Sequence, residues 1–360
     1  MTTIRPTDDP EPSADSSATS TGGQDGATAP TSSERPRSFG ELVRSLGSAS
    51  SSARNTLLPI LLLVILVIFF STQTSNFLQV ATLYTIAREA AVVLVVAIGL
   101  TFVILMGSID LSVGATVTLA GLVTAKVAST YEWGAAMLAG VAVAAAVGVV
   151  NGVLFAYAKV PSFLATLGTS LAIEGLALWI TGGRPVQITD PVMLSISRDT
   201  LLGELPNIAL WAVLIWIALS VVGGNTRFGR YSYAIGGGEV VSGLAGIPVR
   251  RMKFYVMVVG ATLAGVAGLL LAMRIGAATP DMGASLTLDA IAAVVMGGTA
   301  LTGGVGGVHR TILGVLVITT LGVGLDALVV PPYLQSIIQG SVVILAVALT
   351  LDRSKLKILK

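Results

Sequence analysis

The chain has 360 residues, of which 54% are hydrophobic and 11% charged, with a formal net charge of +2. A mean hydropathy of +0.87 is more apolar surface than a soluble globule can hide, so an integral membrane protein is predicted. The small net charge gives no footing for nucleic-acid binding, and the absence of cysteine removes disulfides, thiolate catalysis and cysteine metal sites. His309 is the sole histidine; it reads as a loop residue beside Arg310, and one imidazole cannot build a histidine metal cluster.

Residues 1–52 are rich in Ser, Thr, Pro, Gly and Asp. Too few large apolar groups are present to offset chain entropy, so a disordered cytoplasmic tail is expected. A transmembrane domain over 53–352 follows, and a basic cytoplasmic C-terminus at 353–360. Apolar runs of about 20 residues, the length that crosses a bilayer as a helix, recur from Leu57 onward. Ten are predicted, at 56–73, 87–106, 113–130, 134–157, 162–182, 207–223, 254–274, 286–303, 310–329 and 333–351. The fold class expected is therefore an all-α polytopic membrane protein with broken helices.

Basic residues collect in the loop 225–253 (Arg227, Arg230, Arg250, Arg251, Lys253) and at the C-terminus (Arg353, Lys355, Lys357, Lys360). Both are expected inside. An even number of spans puts the N-terminus inside as well, in agreement with Arg54. The outer loop 183–206 mixes Arg184 and Arg198 with Asp190, Asp199 and Glu204 and shows no basic bias.

Gly140, Ala144, Gly148 and Gly152 fall four apart, as do Gly260, Ala264 and Gly268. Such stripes let helix backbones approach closely and are read as packing surfaces. An internal echo is also present: VPSFLATL at 160–167 resembles VPPYLQSI at 330–337. The two open the fifth and tenth spans, which suits an inverted five-helix repeat. MGSIDLSVG at 106–114 and MGGTALTGG at 296–304 echo each other at another offset, and are read as two helix breaks with similar local needs.

The break at 107–114 carries Asp110, an acid that costs roughly 3 kcal/mol at a helix centre in hydrocarbon. Ser108 or Asp110 can cap the following helix, or line a water-filled path. With the break toward the cytoplasmic side, Asp110 is expected to reach water. Candidate pathway residues are Asp110, Ser112, Asn151, Thr166, Thr169, Glu174 and Asp289. Hydroxyl and amide groups can replace the water around a hydroxylated neutral solute. Thr166 and Thr169 can equally bond back to their own helix, and Glu174 can pair with a structural cation.

No G-x-x-x-x-G-K-[ST] phosphate loop, G-x-S-x-G, H-E-x-x-H or EF-hand pattern is present in the chain, so neither nucleotide hydrolysis nor an enzymatic site is predicted. The stretch GLTFVILMGSIDLSVGATVTLAG, Asn151-Gly152, VPSFLATLG, YAIGGGEVVSGLAGIPV and LDAIAAVVMGGTALTGG together resemble membrane permease subunits of bacterial ABC sugar importers of the ribose, xylose and galactose type. The resemblance covers about 55–350; one departure is Gly238, where the family carries Asn. It implies a permease of ten helices paired with a second copy or a close relative. It further implies two cytoplasmic ATPase subunits that use ATP and Mg, and an external binding protein; the chain itself is expected to hold no cofactor and no metal. The loop 225–253 is where a coupling element is expected, with Arg230, Tyr233, Gly236, Glu239, Gly246 and Ile247 as its residues and a short amphipathic helix near 239–245. Its glycines are expected to turn the chain at each end. An ion-coupled secondary transporter using Asp110 or Glu174, and a passive channel, are the rival classes. Within ABC importers, nucleosides, a sugar-like signal and branched-chain amino acids are the rival solutes.

Overall fold

A computed structural model describes residues 51–201 and 205–350, with the side chains of 51–56, 343 and 345–350 left aside. The tail expected over 1–52, apart from Ser51 and Ser52, and the basic C-terminus at 353–360 lie outside the described residues. So does Glu204.

Thirteen helices follow one another in the described residues. They are α1 (Ser51–Gln73), α2 (Val80–Leu105), α3 (Val113–Ala128), α4 (Trp133–Ala156), α5 (Ser162–Thr181), α6 (Pro191–Arg198), α7 (Asn207–Asn225), α8 (Arg227–Gly237), α9 (Glu239–Leu244), α10 (Val249–Ile275), α11 (Leu286–Met296), α12 (Val308–Ala327) and α13 (Pro332–Thr350). Four two-residue strands form two minimal antiparallel ribbons. β1 (Val186–Gln187) pairs with β4 (Ala277–Ala278), and β2 (Thr200–Leu201) with β3 (Leu205–Pro206). An all-α polytopic membrane protein is thus the architecture, with ribbons only as clasps in its loops.

Every predicted apolar run coincides with a helix. Among the described residues six helices, α2, α4, α5, α7, α10 and α12, are long and apolar enough to cross a membrane, while α3 and α11 are shorter. At 1.5 Å per residue α2 extends about 39 Å and α11 only about 16 Å, against a hydrocarbon core of about 30 Å. The predicted span 286–303 therefore overshoots. α11 stops at Met296 because Gly298 turns to φ 86° and the Thr299 N–H closes back on the Val294 carbonyl at 3.1 Å. α2 ends in the same way, with Gly107 at φ 71° and Ser108 N–H on Val103 O at 3.2 Å. Both are Schellman closures, which accounts for the echo between the two glycine-rich segments.

α2 is the central pillar, buried along most of its length and in contact with α7, α10, α11 and α12. α10 packs against α4, α3 and α2. The small-residue stripes make these approaches. A Cβ on Gly148 of α4 would lie 2.7 Å from Val258 Cα and 2.8 Å from the Met257 carbonyl of α10, while Gly260 packs on Gly99 of α2. Helices meet backbone to backbone here, as the four-residue spacing predicted.

α6 went unread in the sequence, although its signal is local: Asp190 accepts from Val192 N–H (2.8 Å) and Met193 N–H (3.1 Å), and Pro191 follows as the first helical residue. Arg198 at its end donates to the carbonyls of Arg274 and Ile275 (2.9 and 2.6 Å), satisfying free acceptors at the α10 C-terminus. His309, expected in a loop, stands on the first turn of α12. The two described non-glycine residues with positive φ, Lys159 (59°) and Val329 (56°), occupy matching places, each just before one copy of the VPSF/VPPY echo.

The packing stripe generates a direct test. Gly148→Ala is expected to lower the stability of the detergent-solubilised protein by about 1–3 kcal/mol through overpacking. Gly134→Ala, at a position with no neighbour within 4 Å, should leave the thermal midpoint unchanged or slightly raised.

Candidate functional site

The break between α2 and α3 leaves several backbone N–H groups without helical partners, and α5 supplies acceptors for two of them. Ile109 N–H donates to Ser162 Oγ (3.2 Å) and Leu111 N–H to Thr166 Oγ1 (3.0 Å). A third is held locally: Asp110 Oδ1 accepts from the Ser112 N–H (2.8 Å) and the Ser112 hydroxyl (2.6 Å). This is an Asx-type turn immediately before α3. It satisfies the N–H of Ser112, the residue at the N-cap position, but neither Ser108 nor Asp110 accepts from the first-turn amides of α3, so the expected capping of that helix by Ser108 or Asp110 is corrected to a turn that precedes it.

From Ser112 the polar contacts continue outward. Asn151 Nδ2 on α4 donates to Ser112 Oγ at 2.8 Å, and Thr169 Oγ1 on α5 donates to Asn151 Oδ1 at 2.8 Å. Thr169 also lies 3.0 Å from the Thr166 carbonyl, and Thr166 Oγ1 donates to the Ser162 carbonyl at 2.9 Å. The back-bonding anticipated for these threonines is present, and both hydroxyls serve the network as well. Asp110, Ser112, Asn151, Thr166 and Thr169 thus form one constellation, with Thr169 at its half-buried edge.

Asp110 itself is 1% exposed, and its Oδ2 is buried without a partner. The expectation that it reaches water at the cytoplasmic side is corrected: α4 and α5 close over the break and remove the solvent. Two donors from Ser112 offset part of the desolvation of the acid.

Glu174 and Asp289 stand apart from this constellation. Glu174 lies on the exposed face of α5, beside Leu171 and Leu178, where the Ser170 hydroxyl donates to its Oε1 at 3.1 Å. Asp289 opens into a crevice of about 280 Å³ between α2, α11, α12 and α13, lined by Glu89, Asp326, Gln335 and Gln339 among others. Glu89 pairs with Arg274 (3.1 Å), and Gln335 Nε2 donates to Asp326 Oδ1 (2.8 Å). Among the described residues no group of three or more His, Asp or Glu side chains converges as a metal site. The adjacent Arg88 and Glu89 inside an apolar run were the sequence signal for this crevice. Reciprocal threonine contacts, Gly114 N–H on Thr287 Oγ1 and Gly283 N–H on Thr118 Oγ1 (both 3.0 Å), tie α3 to the chain entering α11.

The loop 225–253 folds into α8, α9 and the start of α10, which carries Arg250, Arg251 and Lys253. The short helix predicted near 239–245 is α9. Glu239 at its start pairs with Lys253 (2.7 Å), and Arg230 Nη1 donates to the Asn225 carbonyl (3.1 Å). Val240, Val241 and Leu244 project from α9, exposed by 76%, 71% and 85%. Gly246, φ 81°, turns the chain after α9, and the Ile247 N–H returns to the Ser242 carbonyl (3.0 Å) while its side chain packs on the main core. Gly236 differs from expectation: it is helical, and it lacks a Cβ because of what it touches. Tyr233 donates its hydroxyl to the Gly306 carbonyl at 2.9 Å. Burial pushes this phenol's pKa up, with the Arg310 charge opposing.

Asn151→Ala removes both the donor to Ser112 and the acceptor for Thr169, so a loss of about 1–3 kcal/mol is expected. Asp110→Asn keeps an Oδ1 acceptor for both Ser112 donors and should cost less; unfolding of the two variants in detergent compares them.

Residues 82–347 match the family described as the permease component of branched-chain amino acid transport systems. The ribose import permease of Bacillus subtilis strain 168 is 40% identical over 300 residues, 82% of this chain and 92% of that protein. The ribose import permease of Escherichia coli K12 is 36% identical over 286 residues, covering 78% of this chain and 89% of that protein. A D-allose transport system permease of the same strain is 33% identical over 284 residues, covering 78% and 87%. No solved structure matches the chain. With most of its length matched by the family and by permeases more than 30% identical to it, the chain belongs to the membrane permeases of ABC importers, in the sugar-importer group that includes the ribose permeases.

Proposed function

We propose that this chain is the membrane-spanning subunit of an ATP-driven importer that carries a monosaccharide, a pentose such as ribose first among them. The observation that carries the reading is similarity to ribose permeases over nearly their whole length. The site chemistry agrees with it. At the half-buried edge of the constellation Thr169 offers a neutral hydroxyl, which exchanges hydrogen bonds with a sugar without demanding a counter-charge.

The remaining organisation extends this reading. All ten apolar helices cross the membrane, the short α3 and α11 being completed by the breaks that adjoin them, and both termini face the cytoplasm. The matching turns at Lys159 and Val329 support an inverted repeat of five helices. Glu174 is exposed in the interior of a membrane-capable helix, and a carboxylate at that depth faces water or protein rather than lipid. A second copy of this chain, or a close relative, therefore meets the exposed face of α5, and the solute path runs between them. Thr169 and Glu174 line that path; Asp110, Ser112, Asn151 and Thr166 hold its wall, and Asp289 belongs to a separate crevice.

Outside the membrane, α9 presents its exposed apolar triplet to one of two ATPase subunits, which bind ATP and Mg. An external binding protein delivers the sugar. Solute affinity resides mainly in that protein, and the permease alternates between outward and inward access as the ATPases close and open.

In vesicles containing the chain with its ATPase and binding protein, labelled ribose is expected to enter only when ATP is inside the ATPase-accessible compartment, with no effect of a protonophore. Uptake that collapses with the protonophore while ATP persists would establish the ion-coupled class instead. Downhill flux through the chain alone would establish a channel.

A further inference from the structure

The coupling region and both helix breaks meet at a single point made of glycines. Gly236, near the end of α8, sits so close to the end of α2 that a Cβ there would collide with the Leu105 carbonyl and crowd the Gly304 amide. The Gly304 N–H donates to that same Leu105 carbonyl at 2.9 Å. Gly303, φ 84°, comes as near on the other side: a Cβ there would lie 2.6 Å from Gly107 N and 3.0 Å from Gly236 Cα. One turn earlier on α8, the Tyr233 hydroxyl holds the Gly306 carbonyl at 2.9 Å. Three backbone segments from α8, the first break and the second break therefore touch with no side chain between them.

Contact of this kind has a mechanical consequence. Close-packed backbone has low compressibility and passes a displacement on, whereas a long side chain absorbs one by changing rotamer. The first break is in turn fixed to α5 by the Ile109–Ser162 and Leu111–Thr166 hydrogen bonds, and through Ser112 and Asn151 to Thr169. A continuous path of backbone contacts and short hydrogen bonds runs from α8 to the α5 face assigned above to the solute path.

We propose that this glycine junction converts movement of the coupling region into movement of α5, with Gly236 and Tyr233 as its positioning residues. The inference rests on the ATP-driven reading. Neither residue touches solute or nucleotide; each acts by keeping α8 seated against the two breaks, so that its loss separates ATP hydrolysis from transport.

The experiment uses the complete transporter in vesicles, with labelled ribose as the probe. Tyr233→Phe removes one hydrogen bond at nearly constant volume. It is expected to leave ATP hydrolysis unchanged and to lower ribose taken up per ATP by about fivefold or more, the lower range of ordinary coupling energies. Gly236→Ala should do the same or worse, while Gly237→Ala, where a Cβ meets nothing within 4 Å, should remain coupled. Because the chain contains no cysteine, Leu171→Cys on the exposed face of α5 serves as a reporter. Its labelling rate is expected to differ between nucleotide-free and vanadate-trapped transporter, and Tyr233→Phe should abolish that difference while trapping persists. A merely structural role would lower thermal stability and leave the ratio of uptake to hydrolysis intact. Full coupling and a normal labelling change in Tyr233→Phe would overturn the junction. Absence of ATP-dependent ribose uptake in the unmodified transporter would overturn the functional reading instead.

Discussion

Where a helix stops inside an apolar protein, its free N–H and C=O groups lose water as a partner and must be satisfied within the chain. The break after α2 is built around that constraint. Ser162 and Thr166, one turn apart on α5, accept from alternate amides of the break, and Asp110 holds the amide of Ser112. Those contacts fix the position of α5 against α3, and Asn151 extends them from α4. A polar arrangement that first serves to satisfy backbone groups also presents the hydroxyl of Thr169 at the edge of a helix whose far face is exposed among the described residues.

The second constraint is closeness. Van der Waals packing rather than hydrophobic segregation holds helices together in lipid, and the α4–α10 and α2–α10 contacts are made through Gly148 and Gly260. The same device appears where α8 meets the helix breaks, with Gly236 and Gly303 letting it rest on both. Stability and transmission therefore share one material: a missing Cβ sets the strength of the bundle in one place and its responsiveness in another.

Local features were legible in the sequence. Apolar runs gave the helices, the Gly107–Gly114 interruption marked the first break, and the spacing of Gly140, Ala144 and Gly148 marked a packed face. The limits were equally physical. Asn151 and Ser112 are 39 residues apart, and Tyr233 and Gly306 are 73 apart; nothing local records such pairings. Gly236 was read as a turn because a glycine needed for left-handed backbone and one needed for close approach look identical in sequence. The burial of Asp110 was missed because loop position says nothing of which helices fold over the loop. Asp190-Pro191 is a local helix-start signal that the charge balance of the outer loop does not reveal.

On the proposed function, the exposed face of α5 meets an aqueous path for sugar rather than lipid. The most direct measurement places a single cysteine at Glu174 in the assembled transporter and labels it with a membrane-impermeant thiol reagent. Labelling that is rapid from the aqueous phase, and slowed by the ribose-loaded binding protein, is the result predicted. Labelling by lipid-soluble reagent alone would place this face against hydrocarbon and contradict the account.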